Sequence, residues 1–123
     1  MNKTTNEKDI KQFIENELCK FNFRRGTKGY KYLKEAICLC IINENAIDNL
    51  TKNVFPTIAK EYNEKSYLSI KWCIDQCIIT MYNNTQTDII SKYFMLPENL
   101  KPSLKLIIYT IVCNYENKYM KQY

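Results

Sequence analysis

Two stretches of helical periodicity lie back to back between Asn49 and Tyr82, and only Asn63 to Lys65, a run with no apolar side chain, separates them. In the first, Val54, Ile58 and Ala59 share one face, with Tyr62 placed to pack beneath the turn. In the second, Ile70, Cys73, Ile74, Cys77, Ile78 and Met81 recur at offsets of 3, 4, 7, 8 and 11 residues, the stripe of a longer amphipathic helix. Asn63 tolerates the left-handed conformation that ends a helix, and Ser66 can cap the next one. Helix, short polar turn and helix make the layout of a helix-turn-helix, expected at about residues 51–83. Periodicity alone fits equally any pair of amphipathic helices in an all-helical domain.

The rest of the chain extends the helical pattern. Glu7 to Phe21 places Ile10, Phe13, Ile14, Leu18 and Phe21 at helical spacing, and residues 1–6 are too polar to hold an ordered start. Asn22 to Gly26 is a break whose Arg24 and Arg25 either reach a phosphate or are simply solvated. Thr27 caps a second helix in which Tyr30, Leu33, Ile37 and Ile41 face inward, and Gly29 near its start implies close packing or contact, since glycine costs helix stability. Asn43 to Asn45 ends that helix, and Ala46 to Leu50 forms a short helical turn. Thr51 is the expected cap of the next helix, with Pro56 kinking it or marking a fresh start. Thr87 to Phe94 reads as a short helix. Leu104, Ile107, Ile108, Ile111 and Val112 give a last one, with Pro102 at or near its first position. Residues 116–123 read as a polar tail. The expectation is all-α: a single domain, 1–123, of about six helices. Only two glycines and three prolines suit helices better than a many-turned sandwich, and 123 residues suffice for one core.

Chemistry that would mark an enzyme is absent from the sequence. There is no histidine, no glycine-rich phosphate loop and no carboxylate cluster, so we expect no catalytic residue, no cofactor and no metal. The six cysteines lack a paired Cys-x-x-Cys knuckle, and Cys38, Cys73, Cys77 and Cys113 fall on apolar faces, where free cysteine acts as a small hydrophobe. No apolar run approaches the ~20 residues of a membrane span, and the N-terminus has no signal-peptide core, which places the protein in the cytoplasm, away from membranes. The net charge of +5 suits a polyanionic partner without requiring one.

Two blocks of the sequence carry a resemblance to a known family. Leu50-Thr51-Lys52, then Phe55-Pro56-Thr57-Ile58-Ala59-Lys60 and Tyr62-Asn63, resembles the first helix of the helix-turn-helix in the C-terminal effector domain of the stage-zero sporulation response regulator. Upstream, Thr27-Lys28-Gly29-Tyr30-Lys31-Tyr32-Leu33-Lys34-Glu35-Ala36-Ile37 is similar to the opening of that domain's second helix. The blocks occur in the family's order and spacing, and the likeness runs from about Glu7 to Asn114. It implies a transcription regulator that binds double-stranded DNA, with the second helix of the motif in the major groove and the first across the backbone. Phosphate contacts are then expected from Lys28, Lys52, Lys60 and Lys65, with Arg24 and Arg25 as further backbone candidates. The family's domain binds DNA as a tandem pair and meets its neighbour partly through the last helix, which makes Leu104, Ile107, Ile108 and Ile111 self-association candidates. The family's full-length proteins carry a phosphorylated receiver domain ahead of this one. This sequence begins almost directly with the effector part, so control by phosphorylation in cis is not expected.

Matching the apolar pattern to the family requires one extra residue in the turn, and the base-reading positions then fall on Ser66, Ser69, Lys71, Trp72, Asp75 and Gln76. The family's corresponding face is rich in arginine. Here the only arginines are Arg24 and Arg25, and Asp75 carries the wrong charge for phosphate unless it accepts from cytosine. Each bidentate arginine–guanine contact discriminates by ~1–3 kcal/mol, so losing two removes ~2–6 of the ~4–10 kcal/mol that separates specific from non-specific binding. Trp72 either caps the core from the side or contacts a partner. Two functions stay open: a regulator with altered, weaker preference read by Ser69, Lys71 and Gln76, or an interaction module that pairs with a full-length family member and has lost base readout.

Overall fold

A computed structural model describes residues 3–120, with side-chain environments from residue 7 onward. Six α-helices appear, and no strand occurs among the described residues: α1 Lys3–Leu18, α2 Lys28–Ile42, α3 Phe55–Glu61, α4 Tyr67–Asn84, α5 Thr87–Phe94 and α6 Leu104–Tyr119. A 3-10 helix, Glu44–Asn49, and one π-helical turn, Leu50–Val54, connect α2 to α3.

The element on which the others lean is α2, which packs against α1, α3, α4 and α6. Its inward face holds Tyr30, Leu33, Ala36 and Ile37, continuous in one hydrophobic cluster with Ile14 and Leu18 of α1, Ile58 of α3, Ile70, Ile74 and Ile78 of α4, and Ile107, Ile108 and Ile111 of α6. As expected, the Thr27 hydroxyl caps α2 by accepting from the Tyr30 amide. Asn43 ends the helix and caps the 3-10 turn through its side chain, which accepts from the Asn45 amide. All six cysteines are free thiols; burial pushes Cys38 up to about 12 and Cys40 and Cys77 to about 11, so these three are packing residues held protonated.

Several boundaries differ from the sequence reading, each for a physical reason. The first helix reaches back to Lys3 and stops at Leu18, short of Phe21. The chain turns there so that the Phe21 ring can stack on Phe94, 5.4 Å between centroids, and meet Tyr93 edge-on at 4.9 Å. Thr51 is not a cap. The chain widens into the π-helical turn Leu50–Val54, where the Phe55 amide reaches back to the Leu50 carbonyl, and α3 starts beside Pro56, which lacks an amide to donate. Pro102 lies before the last helix, whose cap is Ser103, accepting from the Leu106 amide. The helix also continues through the expected tail to Tyr119, because Tyr115 and Tyr119 pack edge-on against Phe13 at 5.3 and 5.8 Å. Residues 1–2 and 121–123 of the expected loose ends lie outside the described residues.

Two glutamates of α1 fasten it to the remaining helices. Glu15 accepts from the Tyr30 hydroxyl at 2.7 Å and from the Lys34 ammonium at 2.8 Å, which ties α1 to α2. Glu17 accepts from the Tyr93 hydroxyl at 2.6 Å and the Asn114 amide at 3.2 Å, which ties α1 to α5 and α6. For both carboxyls burial works upward, but the donors around them outweigh it and the pKa is lowered. A carboxyl whose folded pKa lies below its unfolded value stabilises the fold above that value, and the contribution is lost as pH falls through the folded pKa. Glu61 works in the opposite sense, because burial and then the neighbouring Glu35 raise its pKa, so acid relieves repulsion there. The informative comparison is therefore differential. Glu17→Gln is expected to lower stability at neutral pH by about 1–3 kcal/mol, and the gap to the native chain should close as the pH drops below about 4. Thermal unfolding at stepped pH measures both; a gap that persists in acid would remove Glu17 from this role.

Candidate nucleic-acid interface

The helix-turn-helix is formed by α3 and α4. Asn63 adopts the left-handed conformation with φ 57°, and the Glu64 amide donates to the Ala59 carbonyl at 2.8 Å, so the turn satisfies the end of α3. Ser66 caps α4 by accepting from the Leu68 amide. Glu64 is held in place by the Tyr32 hydroxyl, which donates to it, and by Lys28 at 3.5 Å. The Tyr32 bond leads, with Lys28 beside it, in lowering the Glu64 pKa. The turn is thereby fixed to α2.

What sets the position of the basic turn is the crossing of α2 over α4. A Cβ built on Gly29 would stand 2.2 Å from the Cys73 carbonyl oxygen and 2.8 Å from the Cys77 Cβ, so only glycine permits this approach. The preceding turn is locked as well: the Thr27 hydroxyl and amide both donate to the Arg24 carbonyl, at 2.8 and 3.3 Å. Asn22 donates its amide to Thr85 at 2.9 Å and its side chain to the Asn84 carbonyl, which anchors the loop to the far end of α4. The result is a surface groove of about 240 Å³ between the two helices, lined by Arg24, Thr27 and Lys28 on one side and Trp72, Gln76 and Thr80 on the other.

The sequence-derived candidates divide on this geometry. Trp72 and Gln76 stand on the exposed face of α4 beside Arg24 and Lys28. Trp72 is 64% exposed, so it does not cap the core. Lys71 and Asp75 are occupied with each other in an ion pair of 2.8 Å, and Ser66 and Ser69 are half-buried in the first turn. Arg25 approaches Glu15 at 4.0 Å. Lys60 and Lys65 are exposed on the last turn of α3 and on the turn before α4, with no ion-pair partner among the described residues. Lys52 lies apart from the groove, in a second depression with Asp48 and Lys105.

Sequence reasoning passes over one residue that the fold brings forward: Leu68, 58% exposed, four positions before Trp72 on the same face. Its signal is an apolar residue off the buried stripe. A correction falls on α6. Ile107, Ile108 and Ile111 are fully enclosed and Leu104 is half-buried, because these side chains fill the space against α2. The three isoleucines cannot meet a second copy without unpacking the core, whereas Leu104 stays partly accessible and Tyr109 is exposed, at 59%.

No helix among the described residues is long and apolar enough to cross a membrane. Replacing Gly29 by alanine would normally favour a helix by about 1 kcal/mol; here we expect a loss of about 1–3 kcal/mol from overpacking against the Cys73 carbonyl. Chemical denaturation decides the sign, and a stabilised Gly29→Ala would contradict the close crossing. The family model described as sporulation initiation factor Spo0A C terminal matches residues 6–114.

Proposed function

Since the chain belongs to the family of sporulation initiation factor Spo0A C-terminal domains, which are DNA-binding effector domains of transcription regulation and not an enzyme family, we propose that it binds duplex DNA through α4 and the start of α2. In this reading the N-terminal half of α4 enters the major groove and α3 crosses the backbone. Arg24 and Lys28 meet phosphates on one flank of α4, and Lys60 and Lys65 offer charge at the turn between the helices. The observation that carries the reading is the groove that sets Arg24 and Lys28 directly beside Trp72 and Gln76 on the exposed face of a helix-turn-helix. The protein then acts in the cytoplasm on double-stranded DNA, with Ser66 and Ser69 near the bases at the first turn.

A second reading has its own support. The exposed face of α4 contains no arginine, its one lysine before Gln76 is tied to Asp75, and Leu68 and Trp72 stand in solvent. Such a surface also suits an interaction module that pairs with a full-length family member and modulates it. A homodimer on DNA through α6 would use partly buried Leu104 and exposed Tyr109 rather than the enclosed isoleucines.

Titration of duplex DNA at a series of salt concentrations separates the two. Affinity is expected to fall with salt, and Arg24→Ala with Lys28→Ala should flatten the log–log slope by about 0.9 for each phosphate that is no longer neutralised. Trp72 is the single tryptophan and its exposed indole reports the event directly by a change in fluorescence. No binding at low salt, with a stable complex formed by a full-length relative, would favour the interaction module.

A further inference from the structure

The exposed face of α4 consists of two rows. Lys71, Asp75 and Ile79 form one, and its charges are spent on each other across 2.8 Å. Leu68, Trp72 and Gln76, at successive offsets of four, form the other, with Trp72 and Gln76 on the groove that holds Arg24 and Lys28. A phosphate backbone drawn to those two cations leaves the second row facing the base edges. Resting on the DNA-binding reading above, we infer that this row selects A·T base pairs, Leu68 and Trp72 covering thymine methyl groups and Gln76 pairing with adenine.

The chemistry follows from what each base shows in the major groove. Thymine presents a C5-methyl group, and an exposed leucine and indole gain by covering it. Adenine presents an acceptor and a donor side by side, which a glutamine amide matches with its own donor and acceptor. Guanine presents two acceptors, and the row has no cation to satisfy them. An apolar side chain set over guanine would strip water from both acceptors without replacing it. The preference is thus for A·T by attraction and against G·C by desolvation. It also gives Leu68 and Trp72 a use for surface that is otherwise costly to leave in water.

The test begins with selection of bound duplexes from a random pool by the full chain. Each thymine of the enriched site is then replaced by deoxyuridine, which removes only the methyl group. We expect A·T enrichment, a loss of about fourfold in affinity for each methyl that the row covers, and disappearance of that loss in Leu68→Ala or Trp72→Ala. Both side chains are exposed, so these variants should keep the native circular dichroism. Gln76→Ala should cost roughly tenfold at an adenine step and little elsewhere. Binding that is retained but indifferent to deoxyuridine, or a guanine-rich enriched site, overturns the inference and leaves DNA binding intact. Absence of any duplex binding by the native chain at low salt overturns both. If Trp72→Ala leaves DNA affinity unchanged while abolishing a complex with a full-length relative, the row is a protein contact and the inference falls.

Discussion

The approach of α2 to α4 at Gly29 is the constraint from which the rest of the surface follows. With a Cβ excluded by the Cys73 carbonyl, the two helices meet backbone to backbone, and the first turn of α2 lands beside Cys73 and Cys77 of α4. The backbone that carries Arg24 and Lys28 is therefore placed by a packing contact, with both side chains exposed. The same contact seats Lys28 near Glu64, so the turn of the helix-turn-helix, its capping and its charge are all referenced to α2.

The charged ties of α1 serve the same end from the opposite side. Glu15 grips Tyr30 and Lys34 on α2, and Glu17 grips Tyr93 and Asn114 on α5 and α6. Each carboxylate is half-buried and supplied with donors, the condition under which a desolvated charge supports a fold instead of weakening it. α2 is in this way held between a polar clamp and a glycine contact, which together fix where it crosses α4. A fixed base suits the DNA-reading role proposed for α4, because a displacement of its anchoring turn would shift every contact on the face.

Much of this is legible in residue order. The 3.6-residue spacing of Ile70, Cys73, Ile74, Cys77, Ile78 and Met81 locates α4 and its buried face, and Thr27, Asn63 and Ser66 fall at helix ends where their side chains or backbones belong. Gly29 stands out as a close contact because it opposes local propensity, but its partner is 44 positions away, and only the fold identifies Cys73. The π-helical turn before Pro56 has no periodic signature, so a threonine ahead of an apolar stripe reads as a cap at Thr51 when it is not one. On α6 the same apolar periodicity that predicts the helix does not distinguish a core face from a self-association face, and burial assigns Ile107, Ile108 and Ile111 to the core. The surface of α4 is legible in its residues but not in its pairing: the Lys71–Asp75 bond and the exposure of Leu68 are what change the reading from charged to apolar.

In the proposed function, one surface made of the start of α2 and the exposed face of α4 meets DNA. Backbone amide chemical shifts of the isotopically labelled chain, followed as duplex DNA is added, test it residue by residue. The perturbations are expected to concentrate at Arg24 to Gly29 and at Ser66 to Thr80, with the amides of Ile107 to Ile111 unmoved. Perturbations confined to α1 and α6, or none on α4 at saturating DNA, would contradict it.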